Sequence, residues 1–459
     1  MGDTFGWPVV TAGETSVKGV APVRPQGRLL QVLGLGFGLA VIIGNTIGAG
    51  ILRTPGEVAR HLPDSTLFLA AWVIGGLYAL LGAIQIAELG AMLPRSGGQY
   101  QFARHTFGAY AGFVVGWSDW LSVCGTIAAV SIVIGEFSVA LMPGLAGHDV
   151  TIAIGVTAAF ALAQWRGIRW GSLLQNATSL AKTAAFLALI AAAFVLGGGG
   201  SPAEPMTPPA GLALATALLL SLQGVIYTYD GWTGPVYFSE EIEDAGRNLP
   251  RALLGGVLSV IAIYLLVNVA FLYVLPISRI AGEEFAAGAV AEVLFGPAGE
   301  TLLRALTILS LLSAVNANQL MASRTLHGMS RDRLFSTRAA TVNDGGTPAA
   351  ALWLSTVVAL LFIVFGRTFE QVIIVLAFFF VANYAVSFSA VFVLRHREPA
   401  RPRPYRAWGY PWTTATALIG SIAFLLAAVA ADTRNSAYAL LLLAVSYPVF
   451  RWGATAARS

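Results

Sequence analysis

Cysteine is nearly missing: Cys124 is the only one in 459 residues. No intramolecular disulfide can form, and Cys124, set in an apolar stretch, reads as a packing residue. Charge is also scarce. Asp, Glu, Lys and Arg make up 11% of the chain while 56% is hydrophobic, against about a quarter charged in an ordinary soluble domain. That balance excludes a soluble globular protein and points to an integral membrane one. Among the histidines, His105, His148, His327 and His396 lie in or near loops without metal-ligand spacing. No nucleophile and base pair up at membrane depth either, so neither a metal, a cofactor nor an enzyme is expected. A net charge of +4 is too small for a nucleic-acid footprint. Residues 1–28 lack the apolar core of a signal peptide and read as a cytoplasmic tail.

What the chain has is apolar runs, each near the roughly 20 residues that cross a bilayer as helix. We count twelve: the first from about 29 to 52 and on past Pro55, then about 65–92, 108–141, 150–164, 173–196, 212–240, 252–275, 302–323, 349–365, 369–394, 412–431 and 437–450. Turn signals such as Leu93-Pro94-Arg95-Ser96-Gly97-Gly98 separate them. An even number puts both termini on one side. About 20 of the 27 basic residues fall in the tail and loops of that side, so the positive-inside rule makes both ends cytoplasmic. The expected protein is an all-α, multi-pass protein of the cell membrane. Its core is residues 29–394, with two further helices and the C-terminus in 395–459.

Two spans break their own pattern. Gly44-Asn45-Thr46-Ile47-Gly48-Ala49-Gly50 puts three glycines into the middle of the first, each weakening helix by about 1 kcal/mol relative to alanine. Unwound backbone at that depth survives only where it lines a cavity or is buried in protein. The alternative is a flexible helix packed through the Gly44-x-x-x-Gly48 pattern. The sixth span carries a second interruption within Gln223-Gly224-Val225-Ile226-Tyr227-Thr228-Tyr229-Asp230-Gly231-Trp232. Breaks five spans apart are the mark of two inverted five-helix repeats whose first helices unwind and meet near the midplane. A half-helix beginning near Ala49 aims free N–H groups and a positive dipole end at an anion, and exposed carbonyls suit an ammonium. A zwitterion satisfies both.

The stretches Ile43 to Ile51, Glu88-Leu89, Leu93 to Tyr100, Phe107-Gly108, Gly116-Trp117, Tyr229 to Trp232, Glu240-Glu241, Asn248 to Ala252 and Ser323-Arg324 carry a resemblance. Together they resemble the amino acid-polyamine-organocation superfamily, in particular bacterial permeases similar to L-type amino acid transporters. The resemblance implies a LeuT-type fold of twelve helices with broken helices 1 and 6. It implies a secondary transporter of L-amino acids working by alternating access, as exchanger or proton-coupled carrier. It places a substrate carboxylate at the amides of Ala49 and Gly50, with Gly48 giving close approach, and an amino group at carbonyls of Thr46, Tyr227, Thr228 and Asp230. Tyr227 falls at the position of a bulky gate, and Asn383 at one that can face the substrate side chain. The ammonium of Lys182 falls where sodium-coupled relatives hold a cation, near Gly44 and near Ser310 or Ser313.

Several of these residues also read plainly. Lys182 at mid-span either has a coupling role or snorkels to the interface. Asp230 either contacts substrate or hydrogen-bonds backbone at the break. Arg53 and Glu57, one turn apart, most simply form an i,i+4 pair. Glu88, Arg95 and Asp119 near the inner face are either gate ion pairs or solvated ends. The mostly neutral lining favours neutral L-amino acids, because an unpaired buried charge costs several kcal/mol. A carrier of cationic amino acids or polyamines, the main alternative, needs more acidic groups than Asp230 alone. The loop around Pro143 to Asp149 has no cysteine, so no covalent accessory subunit is expected. The partners are the amino acid substrate and membrane lipid.

Overall fold

The computed structural model describes residues 29–198, 206–366, 369–431 and 443–451. The tail 1–28, part of the loop after residue 197 and the start of the twelfth span lie outside them. Among the described residues the only β pairing is one bridge, Leu33 to Ile242; everything else regular is helix. The first span is α1 (Leu35–Thr46) and α2 (Gly50–His61), bent by 47° at the break. Then come α3 (Ser65–Met92), a short α4 (Tyr100–Phe107), α5 (Ala109–Leu141), α6 (Asp149–Trp165), α7 (Ile168–Leu196) and α8 (Leu212–Tyr229). They are followed by α9 (Ala245–Val274), a single turn α10 (Ile277–Ile280), α11 (Ala286–Phe295), α12 (Ala298–Arg331), α13 (Ala349–Gly366), α14 (Phe369–Arg397) and α15 (Trp412–Ala431).

Among the described residues eight helices are individually long and apolar enough to cross a membrane, and the bent pair makes a ninth. The shorter apolar α6 and α13 occupy the expected fourth and ninth spans, and residues 443–451 are helical at the end of the twelfth. The ends differ in places. The eighth span runs two turns past its expected end at Ser323, so His327 is a buried helix residue and not a loop one. The sixth span stays helical through Tyr229, so its interruption begins only at Asp230. In the first span the non-helical gap is only Ile47, Gly48 and Ala49.

Local chemistry sets these boundaries. Asp64 caps α3 by accepting from the amides of Thr66 and Leu67 at 3.0 and 2.9 Å, which satisfies two of the helix's free donors. Past the second break, a 3-10 segment over Gly234–Phe238 leads into a strap that lies along the start of the first span. There the Leu33 amide donates to the Glu241 carbonyl at 2.9 Å and the Glu243 amide to the Leu33 carbonyl at 2.9 Å. The two broken spans are thus tied together where the first begins and the strap follows the second.

Candidate functional site

The break in the first span leaves carbonyls at the end of α1 that no helix can satisfy, and side chains from three helices supply the donors. Lys182 on α7 donates to the Gly44 carbonyl at 2.8 Å and the Ile47 carbonyl at 2.5 Å. Ser310 on α12 donates to the Ile47 carbonyl at 2.9 Å. The lysine is 1% exposed, so it does not snorkel. Ser313 is one turn away and does not reach the lysine; it bonds Ser179 at 3.0 Å and accepts from Gln175 at 3.2 Å. Gly44 faces this cluster: a Cβ there would lie 2.1 Å from the Gln175 amide nitrogen and 2.5 Å from Ser179 and Ser313. Only glycine lets α1 approach so closely.

Tyr264 on α9 draws the two breaks together. Its hydroxyl stands 2.7 Å from the Thr46 carbonyl and 3.0 Å from the Thr228 carbonyl. The ring is wedged against Tyr229 and Trp72, with centroids 4.9 and 5.8 Å away. Its single O–H is thus shared between two of the carbonyls expected to be open for an amino group, and both keep lone-pair capacity for one. The sequence signal for Tyr264 was a hydroxyl in mid-span, which must find an acceptor.

A cavity opens between the breaks. Thr46, Gly48, Ala49, Gly50, Tyr227, Thr228 and Asp230 all line it. Asn45, within the glycine-rich stretch of the first break, lines it too; Gln99, Thr126, Asn318 and Phe380 line it as well and were not foreseen. A Cβ on Gly48 would meet nothing nearer than Leu311 at 4.0 Å, so this glycine borders open space. The Thr46 hydroxyl is buried without a partner. Among the described residues Asp230 is the only acidic side chain lining the cavity and no basic one does; its carboxylate accepts a hydrogen bond from Tyr384. Asn383 does not line the cavity. It accepts from Ser118 on α5 at 3.2 Å.

Toward the arginine-rich end the cavity floor is closed in layers. Asn318 donates to the Asn45 side chain at 2.6 Å, and Asn45 to the Gly231 carbonyl at 3.3 Å. Below them Tyr237 donates to Asp119 at 2.7 Å. Then Arg324 grips Glu241 through two bonds of 3.0 Å, both side chains fully buried. Further out Arg331 pairs with Glu240 at 2.7 Å and Arg104 with Asp332 at 2.9 Å; Arg95 reaches Asp332 only at 3.9 Å. Glu88 holds Arg395 and Arg403. At the opposite end the expected Arg53–Glu57 pair does not form: Glu57 stands 4.0 Å from His61 instead, while the Arg53 guanidinium lies 5.6 Å from the Phe137 ring centre.

Broken helices facing each other over a cavity, with a buried lysine at one break, repeat the architecture that the sequence motifs resemble, and a family model for amino acid permeases matches residues 33–447. The chain belongs to the amino acid permease family. It is 28% identical over 431 residues to the serine/threonine exchanger SteT of Bacillus subtilis (strain 168), covering 92% of this chain and 96% of that protein. It is also 28% identical to the human Asc-type amino acid transporter 1 over 394 residues, with 82% of this chain and 74% of the relative covered. The human large neutral amino acids transporter small subunit 2 is 28% identical over 404 residues, with 82% and 72% covered. This permease is accordingly a membrane carrier and not an enzyme.

Proposed function

We propose that this permease exchanges neutral L-amino acids across the cell membrane, binding them in the cavity between the two breaks. The observation that carries the reading is the lining: backbone ends of both signs, neutral polar side chains, and one carboxylate already engaged by Tyr384. The start of α2 offers the free amides of Ala49 and Gly50 to a carboxylate. The carbonyls of Thr46, Tyr227, Thr228 and Asp230 face an ammonium, with Tyr264 orienting the first and third of them. Gly48 leaves room for the approach, and Tyr227 covers the side chain. Residues 29–394 form the transport core, and the arginine-rich end faces the cytoplasm.

In this reading Lys182 is a built-in cation, held by Gly44 and Ile47 with Ser310 beside it, and Gly44, Ser310 and Ser313 shape its seat. A carrier of cationic amino acids or polyamines needs free acidic groups, and Asp230 is the only candidate. The relatives named as a serine/threonine exchanger and a large neutral amino acids transporter support the neutral class and exchange.

The test is counterflow in proteoliposomes. Neutral unlabelled L-amino acids inside should drive uptake of a labelled one from outside, with no need for sodium or a pH gradient. Arginine or glutamate driving uptake better than every neutral amino acid would overturn the proposal.

A further inference from the structure

The cavity walls continue outward along the same helix faces into a second set of residues. From Gly50 on α2, Val133 on α5 and Leu311 on α12, all lining the cavity, steps of three, four and seven residues reach Arg53, Phe137 and Arg304. Such steps keep a helix face, and each leads away from the ion-paired end. Both guanidinium groups converge on one ring: the Arg53 carbon lies 5.6 Å from the Phe137 centroid and the Arg304 carbon 5.5 Å. Phe285, just before α11, meets the same ring edge-on at 5.8 Å.

The two cations are not equivalent. Arg304 is neutralised by Glu300, with bonds of 3.0 and 2.5 Å. Arg53 has no carboxylate within ion-pair reach among the described residues, and its Nε is buried without a hydrogen-bond partner. A guanidinium in that condition lacks an acceptor that would satisfy both its charge and its fork of donors. Half-buried and only partly screened by water, it attracts an anion more strongly than a fully solvated side chain does.

We propose that Arg53, backed by the Phe137 ring and the Arg304 guanidinium, forms an outer docking site for the carboxylate of an incoming amino acid. The ligand class is a carboxylate on a small zwitterion, and the site is the stage before the amides of Ala49 and Gly50, one helical turn deeper. The inference rests on the amino acid exchange proposed above. Docking there orients the zwitterion carboxylate first, so that it enters with the polarity the helix break requires. A half-buried charge at the rim acts mainly on encounter, so the site raises capture from one side and leaves the deep site's chemistry untouched.

The experiment uses the full chain in proteoliposomes, with the neutral L-amino acid that gives the largest counterflow in the unmodified protein as probe. KM is measured separately from each face. Arg53→Gln should raise KM from the outer face on the order of five- to tenfold, with a much smaller change in maximal rate, and leave the inner-face KM alone. Arg53→Lys should recover most of the loss, and Arg304→Gln should have the smaller effect because Glu300 already holds that charge. For the unmodified protein, outer-face KM should rise as salt is raised from about 10 to 300 mM, since screening shortens the reach of the charge. Unchanged outer KM in Arg53→Gln, an equal rise on both faces, or a salt-independent KM in the unmodified protein would each overturn the docking site. Absence of any amino acid counterflow by the unmodified protein would instead remove the exchange on which it rests.

Discussion

At the scale of single residues, Lys182 and Gly48 make opposite kinds of contribution, and each can be tested. Lys182 satisfies two carbonyls that the break in the first span strands inside the membrane. Removing it leaves the Gly44 carbonyl unpaired and the Ile47 carbonyl with Ser310 alone, at a cost of about 1–3 kcal/mol, which is enough to repopulate the break in another arrangement. Lys182→Ala should therefore cut counterflow by tenfold or more, and sodium should not stimulate the unmodified protein because the amine already holds those carbonyls. Strong sodium dependence would end that view. Gly48 acts by what it omits. A valine there meets only cavity, since the nearest side-chain atom is 4.0 Å from its Cβ, so Gly48→Val should fold normally and lose more than about nine-tenths of its transport as the branched side chain fills the carboxylate approach. Monodisperse protein with near-normal uptake would refute this. Both residues were legible in the sequence, because a charge and a glycine cluster in mid-span each contradict their surroundings. Tyr264, Gln99 and Asn318 were not: their roles depend on which helices face each other, and spacing along one helix does not carry that. Arg53 and Glu57 show the same limit in reverse, since i,i+4 geometry permitted a pair that the fold does not use.

At the scale of elements, the broken helices were readable and the gate beneath them was only partly so. Length excess and glycines revealed the first break, but in the second span pair the sequence overstated the unwinding: aromatic and β-branched residues from Val225 to Tyr229 remain helical because tertiary packing overrides weak propensity. Glu88, Arg95 and Asp119 could be assigned to the inner end without their partners, which come from α14, α12 and the strap after the second break. Arg324 and Glu241 form the central pair of that end, joining α12 to the strap with both groups fully buried. Breaking such a pair by removing one partner costs about 3–5 kcal/mol. Glu241→Ala should thus shift the carrier away from the state closed at this end and raise outer-face KM at least tenfold. The double variant Arg324→Met/Glu241→Leu, which leaves no orphan charge, should recover part of the loss. A double variant worse than the sum of the two single ones would show that the pair does not act as a latch.

At the scale of the whole molecule, the remaining question is which end faces the cytoplasm, and the ion-paired end is also the one that holds about 20 of the 27 basic residues. The positive-inside rule counts residues in short loops near the span ends, and here those arginines are not idle: Arg324, Arg331, Arg395 and Arg403 are all engaged by carboxylates. Under that rule the charges that orient insertion would be the same ones whose ion pairs close this end of the cavity. Sidedness can be read with engineered cysteines, because the native Cys124 is buried and silent to an impermeant reagent. The positions must be chosen from the fold. Gly345, central to the loop after α12, is unsuitable, since a Cβ there would meet the Arg166 carbonyl at 2.7 Å. Its neighbour Asp344 is exposed, as is Glu284 in the connection between α10 and α11. Glu284→Cys should react in intact cells within minutes. Asp344→Cys should react only after the membrane is opened. Reaction of both from the same side would contradict the single span, α12, that separates them, and reversal of the two would place the arginine-rich gate outside and turn the docking site at Arg53 toward the cytoplasm.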